Sequence, residues 1–539
     1  MRDTASGVRH TAIRAYRKVR ARARRHGRRI RQHWRTATPQ QRQTAGVTAG
    51  AAALGLVLAV TAVATSGPWD SGQRTAERSR AAAREGRSGG NHTGDAPRAP
   101  RVLAALDMEA VRGGAAGGGR DAKPSHGPGA AGVPPPSEAA LADILEPLLK
   151  DGDLGKHRGV SVVDAATGRK LYGSKPRTAA TPASTVKVAT AAAALTALGA
   201  DHRITTRVVR GKGEDEVVLV GGGDPTLSSG ALDGLARDTA RKLRGHDGGK
   251  ISVRYDTSRY SGPLRHSIGT NDNLAPVSPL MVDEARLKGG SGSGDGQDGD
   301  APAHGPAPRS TDPAEDAAEA FADALGEHGV DVDNEPKEAK APGKAKELAA
   351  HRSAPVSALV ERMLTYSDND IAEALARQTA LAAGEPASFK GAGKAVRRTL
   401  GKLDVPLKGA RFADGSGLDR DGKVSPALLT SLLVRAADPG HAALRPVLTG
   451  MPVAHFTGTL DSRYGSDKGK QGAGLVRAKT GTLTGVHTLA GTVVDADGRL
   501  LAFAFMASGS TDGKGAQGSL DSLAAALANC GCRESPSGS

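Results

Sequence analysis

The sequence predicts an α/β fold in which an antiparallel sheet joins the two ends of the folded chain. Strand patterns and a helix lie close together at 159–198, and a strand, a hairpin and a second helix follow at 476–528. The stretch between Ser184 and Ser367 is far too long for a connecting loop, and it carries strand and helix patterns of its own. We therefore expect one α/β sandwich that is interrupted by a smaller inserted domain.

Each predicted element has a local signal. Pro182 in a first turn and Gly199 after the last apolar residue bound a helix, so Ser184 lies at its N-terminus. Two helical runs meet near Ser367, and the run 495–498 (DADG) is a hairpin turn signal. The predicted strands are 159–163, 170–172, 217–221, 251–255, 476–480, 487–494 and 500–507; the predicted helices are 186–198, 357–365, 370–383 and 519–528, with a further helix opening at 311–313.

The net charge of +16 is concentrated at the N-terminus. Residues 1–43 hold 14 of the 73 Lys and Arg residues and a single acid, Asp3, so the rest of the chain is close to neutral. Aromatic residues make up only 3% of the chain and do not alternate with the basic ones. The basic pI therefore describes a tail rather than a nucleic-acid-binding face, and we expect no nucleic-acid partner.

A membrane segment follows the basic tail. Residues 43–69 contain no charged side chain, and about 20 apolar residues at helical rise span a hydrocarbon core. We predict a transmembrane anchor at 44–69, with the basic tail 1–43 in the cytoplasm and everything after it outside. The alternative is a cleaved signal peptide with an Ala62-x-Ala64 site, which would make the protein secreted rather than anchored in the cell membrane.

The remaining boundaries follow changes in composition. Residues 70–136 mix Arg, Gly, Ala, Ser and Pro without a period, which predicts a disordered linker. The main folded domain is predicted over 137–211 and 351–532. The inserted domain is predicted over 212–350 and contains a low-complexity, disordered run at 289–313.

Ser184 and Lys187 form a Ser-x-x-Lys pattern at the start of a predicted helix. Residues i and i+3 share one helix face, which brings the lysine to the serine hydroxyl. A serine needs a nearby base to become a nucleophile, and a lysine can serve when burial and neighbouring positive charge lower its pKa. Alone, the pattern is more typical of a capping serine beside a solvated lysine.

Ser367, Asp368 and Asn369 add a second hydroxyl and an amide at a helix junction. In a functional interpretation, Ser367 relays a proton toward the leaving amine, and Asn369 binds the substrate backbone from the opposite wall. The same three residue types are also common helix N-caps, so this motif by itself decides nothing.

Lys479, Thr480, Gly481 and Thr482 lie on a predicted strand. Alternation sends Lys479 and Gly481 to one side of the pleat and the two threonines to the other. An extended substrate could pair with this strand, Gly481 would let a ligand approach closely, and the Thr482 and Ser184 N–H groups could form an oxyanion hole. The alternative is a surface strand with a solvated lysine.

Together and in this order, the three motifs resemble those of the serine D-alanyl-D-alanine carboxypeptidases/endopeptidases. More specifically, they resemble the low-molecular-mass penicillin-binding proteins of type four, which carry a large insertion after the nucleophile helix. The resemblance covers about 137–530 and extends to the runs 219–227 (LVGGGDPTL), 275–280 (APVSPL), 414–418 (DGSGL) and 476–485.

The resemblance implies a serine β-lactamase/transpeptidase-like catalytic domain and a serine DD-peptidase. Such an enzyme hydrolyses the D-Ala-D-Ala amide, or the D-Ala–diamino acid cross-link, of peptidoglycan stem peptides through an acyl-enzyme. Ser184 would be the nucleophile, Lys187 the general base, and Ser367 and Lys479 the groups that help protonate the leaving amine. β-Lactams would acylate Ser184 durably, and no metal or organic cofactor is needed. The residues expected to hold the terminal carboxylate are Lys479, Thr480 and Thr482.

Two other functions share these motifs. A class A β-lactamase would need a deacylating glutamate on a loop between the second and third motifs. Glu373 follows Asn369 too closely for that role, and Glu385 lacks a following Asn. A non-catalytic wall-binding scaffold would keep the fold without the chemistry, and loss of β-lactam labelling would reveal it.

The sequence predicts no metal site. The two cysteines, Cys530 and Cys532, could pair with each other in an exported protein. Two ligands without a nearby histidine do not make a zinc site.

Overall fold

A computed structural model describes residues 135–531, apart from 245–248, 270, 288–303, 334 and 466–468. The basic tail, the predicted anchor 44–69 and all but the end of the linker 70–136 lie outside these described residues. Within the described residues, no helix is long and apolar enough to cross a membrane. Cys530 is buried and disulfide-bonded, whereas Cys532 lies outside the described residues.

The described residues form ten strands and ten α-helices. The strands are β1 (His157–Asp164), β2 (Lys170–Ser174), β3 (Arg203–Arg210), β4 (Glu216–Val220), β5 (Ser252–Asp256), β6 (Lys337–Glu338), β7 (Glu347–Pro355), β8 (Val476–Leu483), β9 (Val486–Val494) and β10 (Leu500–Ser508). The helices are α1 (Glu138–Leu149), α2 (Lys187–Leu198), α3 (Ser229–Lys242), α4 (Pro313–Glu327), α5 (Val356–Tyr366), α6 (Asn369–Ala382), α7 (Phe389–Leu400), α8 (Pro426–Ala437), α9 (Pro446–Thr449) and α10 (Gly513–Ala528).

The first sheet is antiparallel, with strand order β2-β1-β10-β9-β8. β1 pairs along its whole length with β10, from His157 opposite Ser508 to Asp164 opposite Leu501. The β9–β10 hairpin turns at the predicted DADG run. The prediction that one antiparallel sheet joins the two ends of the folded chain is confirmed.

The second sheet is mixed, with strand order β6-β5-β4-β3-β7, and it belongs to the insertion. The predicted domain boundary at 212 leaves out β3, and the boundary at 350 cuts through β7. Both are wrong, because β3 pairs with β4 and with β7 rather than with the first sheet. The insertion therefore runs from Arg203 to Pro355. A strand's apolar pattern shows that it will be half-buried, but it does not reveal which sheet receives it.

The first sheet is the middle of three layers. One face, with Phe503 and Phe505, packs against α1 and α10. The other face, with Ala490, Ala502 and Ala504, packs against α8 and shares one apolar cluster with α2 and α5. Every residue from Lys187 to Leu195 of α2 is buried, and most of them are alanines. Small side chains let α6 and α7 approach α2 closely, so this helix is held on several sides.

The end of the low-complexity run is ordered, which corrects the prediction of disorder across 289–313. Residues 304–313 are described, Arg309 is buried, and it forms an isolated bridge with Arg286. Asp312 then caps α4 by accepting a hydrogen bond from the Glu315 N–H, as its position before Pro313 predicts. Composition did not predict that these residues are ordered, because a few buried contacts suffice to hold a polar segment in one conformation.

Candidate active site

Ser184 lies in a 3₁₀ turn, Ala183–Val186, that leads directly into α2. The turn is fixed from outside: Ala183 adopts a left-handed backbone conformation (φ 47°), and its carbonyl abuts Gly417. A Cβ on Gly417 would lie 2.0 Å from that carbonyl oxygen, so only glycine fits there. The predicted position of Ser184 at a helix N-terminus is confirmed, and the loop 414–418 supports it.

Lys187 points its ammonium group at three oxygen acceptors. Its Nζ donates to Ser184 Oγ at 3.0 Å, to Asn369 Oδ1 at 2.7 Å and to the Ser416 carbonyl at 2.7 Å. An ammonium has three N–H groups, so this set uses all of them. When Lys187 is neutral, two N–H groups can stay on Asn369 and Ser416, and the lone pair is then directed at the Ser184 hydroxyl.

Burial lowers the pKa of Lys187 from 10.5 to about 8, and the nearby carboxylates oppose this shift only in part. At a pKa of about 8, roughly one lysine in ten is neutral at pH 7 and half are neutral at pH 8. Lys187 can therefore act as a base near neutral pH. The carboxylates that favour its charged form are Asp414, Asp368, Glu373 and Asp370.

Ser367 and Asn369 occupy the junction of α5 and α6. Ser367 ends α5 in a left-handed conformation (φ 60°), and the Asp368 carboxylate caps α6 by accepting from the Ile371 N–H. The Asn369 carbonyl oxygen accepts from Lys187, and its amide donates to the Asn273 carbonyl at 2.9 Å. Asn369 thus contacts Lys187 and lines the cavity beside Ser184. Much of its hydrogen-bonding capacity, however, serves Lys187 and Asn273 rather than a ligand.

β8 is the edge strand of the first sheet. Its outer edge is covered where the Ala454 N–H donates to the Val476 carbonyl and the Ala478 N–H donates to the Pro452 carbonyl. Among the described residues, no strand pairs with this edge beyond Ala478. An extended peptide can therefore add to the edge at Thr480.

Lys479 is fully buried and donates from Nζ to the Thr480 carbonyl at 2.8 Å. Burial lowers its pKa well below the usual value, and the positive charges of Lys187 and Arg463 lower it further. A group in this environment gains a proton readily when an anion arrives beside it.

Gly481 faces the turn Ala183–Val186 that carries Ser184, here called the nucleophile turn. The sequence analysis expected this glycine to make room for a ligand, whereas the structure shows that it makes room for the turn. A Cβ there would lie 2.1 Å from Thr488 Oγ1, 2.8 Å from the Pro182 carbonyl oxygen and 3.1 Å from the Ser184 nitrogen. The glycine lets β8 approach the backbone of Ser184. The predicted alternation is confirmed, because Thr480 and Thr482 line the cavity next to Ser184 and Gly481 lies on the opposite face.

Gly481→Ala is expected to lower both stability and acylation, because the added methyl group must displace β8 or the nucleophile turn. Overpacking of this kind costs about 1–3 kcal/mol, and a displaced turn misaligns Ser184. Urea unfolding and the rate of acylation by a fluorescent penicillin measure the two effects. Gly518→Ala in α10 is the matched control, since nothing lies within 4 Å of its added Cβ. A Gly481→Ala protein that acylates like wild type would contradict this account.

A cavity of about 240 Å³ lies in front of Ser184. Five of the residues predicted from the sequence line it, namely Ser184, Ser367, Asn369, Thr480 and Thr482. Lys187, Lys479 and Gly481 are not in the lining; they support it from behind. The sequence analysis named Asp368 and Leu418 within motifs but gave them no role at the site. It missed the other lining residues, which are Asn273, Arg286, Gly305, Pro306, Arg309, Tyr366 and Thr459.

Glu373 supports the loop that touches Lys187 and is not available as a deacylating base. Its Oε1 accepts from the Gly415 and Ser416 N–H groups at 3.0 and 2.9 Å, and its Oε2 pairs with Arg377 at 3.2 Å. Both side chains are fully buried. This agrees with the sequence argument against a class A β-lactamase mechanism.

Two buried groups of side chains have the spacing of metal ligands. In one, Glu284 and Asp370 face Arg309, and burial raises the pKa of both carboxyls; Asp368 completes the group. These carboxylates already have arginine neighbours. The second group consists of His266, Glu373 and Asp414. His266 hydrogen-bonds Asp414, both carboxylates accept from the 414–419 backbone, and Glu373 pairs with Arg377. Neither arrangement calls for a cation to neutralise it.

A serine touched by a buried lysine, beside an open strand edge and a small cavity, defines an enzyme that transfers acyl groups through the serine. The chain belongs to the D-Ala-D-Ala carboxypeptidase 3 (S13) family, whose model matches residues 141–295 and 296–529. It is therefore a serine-type D-Ala-D-Ala carboxypeptidase, and the resemblance drawn from its motifs is confirmed.

Individual relatives of this chain are named as carboxypeptidases as well. A carboxypeptidase of Mycobacterium tuberculosis is 36% identical over 413 residues, covering 74% of this chain and 85% of that protein. The carboxypeptidase DacB of Mycolicibacterium smegmatis is 37% identical over 416 residues, covering 74% and 86%. The crystal structure of penicillin-binding protein 4 from Haemophilus influenzae matches with a TM-score of 0.58 at 24% identity, covering 71% of this chain and 97% of that one. The last comparison supports the predicted α/β architecture.

Proposed function

We propose that Ser184 and Lys187 cleave the terminal amide of peptidoglycan stem peptides. Neutral Lys187 accepts the Ser184 hydroxyl proton as Oγ attacks the carbonyl carbon of the penultimate D-alanine. The tetrahedral intermediate collapses with cleavage of the C–N bond, and the leaving D-alanine amine takes up a proton. The observation that carries this proposal is the contact set of Lys187, whose buried Nζ lies 3.0 Å from Ser184 Oγ.

In this proposal, the proton that Lys187 took from Ser184 passes through Ser367 and Lys479 to the leaving amine, which leaves Lys187 neutral for the second half-reaction. Ser367 lines the cavity beside Ser184, and Lys479 lies beneath the floor of the site with a lowered pKa. A water molecule then attacks the acyl-enzyme carbonyl and gives a proton to Lys187, which passes it back to Ser184 as the ester breaks. The N–H groups of Ser184 and Thr482 stabilise the oxyanion in both half-reactions, which fits the close approach of β8 to Ser184.

The substrate lies along the open edge of β8. Its backbone pairs with the strand, and its terminal carboxylate is held by Thr480 and Thr482, with Lys479 charged when that carboxylate is bound. Gly481 contributes by keeping the strand against the nucleophile turn. The side chains of Arg286 and Arg309 lie in the opposite wall of the cavity, where they pair with the carboxylates of Glu284 and Asp370.

β-Lactams are proposed inhibitors, because their strained amide presents a carbonyl and a carboxylate in the same relation as the stem peptide. A crystal structure of penicillin-binding protein 4 from Haemophilus influenzae contains a β-lactam. We expect such compounds to acylate Ser184 and to leave slowly.

Purified wild-type protein should be incubated with a pentapeptide muropeptide and, separately, with a dimer cross-linked through D-alanine. Release of free D-alanine from the pentapeptide supports the proposal, and the ratio of the two rates gives the carboxypeptidase and endopeptidase shares. A folded protein that binds the pentapeptide but releases no D-alanine would favour a scaffold and overturn it.

The catalytic domain is proposed to work outside the cell membrane, anchored by residues 44–69. The support is the uncharged run at 43–69 after the basic tail 1–43. The full chain, expressed in a bacterium, is expected to sediment with membranes and to resist extraction with salt. A protein lacking residues 1–69 should stay in the supernatant. A full-length chain found in the medium, shortened near residue 64, would instead support a cleaved signal peptide.

A further inference from the structure

The carbonyl of Ser416 is one of the three acceptors that hold Lys187, and it belongs to a loop without regular secondary structure. It accepts from Lys187 Nζ at 2.7 Å. Thr190 of α2 donates to the neighbouring Gly415 carbonyl, also at 2.7 Å. Because no helix or strand fixes the loop 414–418, the position of the Ser416 carbonyl depends on the side chains that bind its backbone.

The carboxylate of Asp414 organises this loop. Its Oδ1 accepts from the Gly417 N–H at 2.9 Å; its Oδ2 accepts from Ser416 Oγ at 3.0 Å and from the Asp419 N–H at 2.8 Å. His266 Nε2 lies 3.0 Å from the same Oδ2. The carboxylate is thus the centre of a small buried network.

His266 comes from the inserted domain and is buried against the catalytic domain. Its Nδ1 accepts from the Ile268 N–H at 3.2 Å, so in the neutral ring the proton lies on Nε2 and is donated to Asp414. The ring packs edge-on against Phe389, with 5.2 Å between ring centroids. The orientation of the imidazole ring is therefore fixed by the Ile268 backbone, the Phe389 ring and the Asp414 carboxylate.

We propose that His266 is a positioning residue for the general base, acting through Asp414 on the Ser416 carbonyl and so on Lys187. The inserted domain thereby completes the catalytic centre rather than only enlarging the molecule. This inference rests on the proposed role of Lys187 as the general base. The test below distinguishes a failure of the His266 inference from a failure of that proposed role.

The charges around Lys187 and His266 determine in which direction the pKa of Lys187 moves when His266 is replaced. Lys187 faces the carboxylates of Asp414, Asp368, Glu373 and Asp370, and Lys479 lies near it. When His266 is removed, the Asp414 charge loses a donor and acts more strongly on Lys187, which stabilises the ammonium. Fewer lysines are then neutral at pH 7. The charged neighbours of His266 itself are Asp414, Glu373 and Asp419.

The test compares His266→Phe, which keeps a ring against Phe389 but donates nothing, with His266→Gln, whose amide can still donate to Asp414. The rate of acylation by a fluorescent penicillin is measured from pH 6 to 10. His266→Phe should acylate about tenfold more slowly at pH 7, with its midpoint moved to higher pH. His266→Gln should recover most of the rate. Ser161→Ala, which removes a buried hydroxyl contact to Thr430 away from the site, is the control.

Melting temperatures keep a folding defect apart from a positioning effect. Should His266→Phe lose stability yet keep the wild-type pH midpoint and rate per folded molecule, His266 is only structural and the inference is wrong. The same holds if His266→Gln behaves like His266→Phe. If Lys187→Met itself acylates normally, the proposed base is wrong whatever His266 does.

Discussion

Ser184→Ala is expected to reduce D-alanine release to the background rate, a loss of about a thousandfold or more. The change removes the Oγ that must form the ester. Alanine also fits the 3₁₀ turn without strain, so the fold should be preserved. Release of D-alanine from a pentapeptide, followed by chromatography, measures the effect.

The control for this change is Thr196→Ala, which removes a hydroxyl near the far end of the same helix. Thr196 donates only to the Ala192 carbonyl within α2, so its loss should leave turnover unchanged. Turnover by a folded Ser184→Ala protein above a few per cent of the wild-type rate would exclude Ser184 as the nucleophile.

Lys187→Met is expected to slow acylation by about a hundredfold to ten-thousandfold, because the serine loses its general base. In the wild type, acylation requires neutral Lys187, so its rate should rise with pH through a midpoint near 8, the pKa that burial gives this lysine. The residual rate of Lys187→Met should lack that rise. The rate of acylation by a fluorescent penicillin, measured across pH, provides both results.

Lys423→Met is the matched control for Lys187→Met. Lys423 is half-buried near the same turn and donates to Thr181 Oγ1 and to the Arg420 carbonyl. Its replacement should leave the midpoint in place. A wild-type profile that falls as pH rises from 7 to 8 would be incompatible with Lys187 as the base.

The sequence predicted the parts of the site that depend on local geometry. Ser184 and Lys187 meet because they are three positions apart at a helix start, and Thr480 and Thr482 share a face because strands alternate. Both relations can be read from spacing alone. The order of the three motifs then supplied the family.

The parts that depend on tertiary packing were not predictable from one sequence. The contact between Lys187 and the Ser416 carbonyl joins residues far apart in the chain through a backbone atom that any residue type supplies. Arg309 lies in a run whose composition indicates disorder, yet it lines the cavity. The role of Gly481 was assigned to a ligand because the approaching Pro182 and Ser184 backbone cannot be seen from the strand itself.

The most direct test of the account is the intact mass of a soluble protein beginning near residue 137 after incubation with benzylpenicillin, followed by peptide mapping. We predict a single adduct with the full mass of the penicillin, located on Ser184, released slowly and absent from Ser184→Ala. An adduct on a different residue, or none on a folded wild-type protein, would contradict the assignment of Ser184 as the acylated nucleophile.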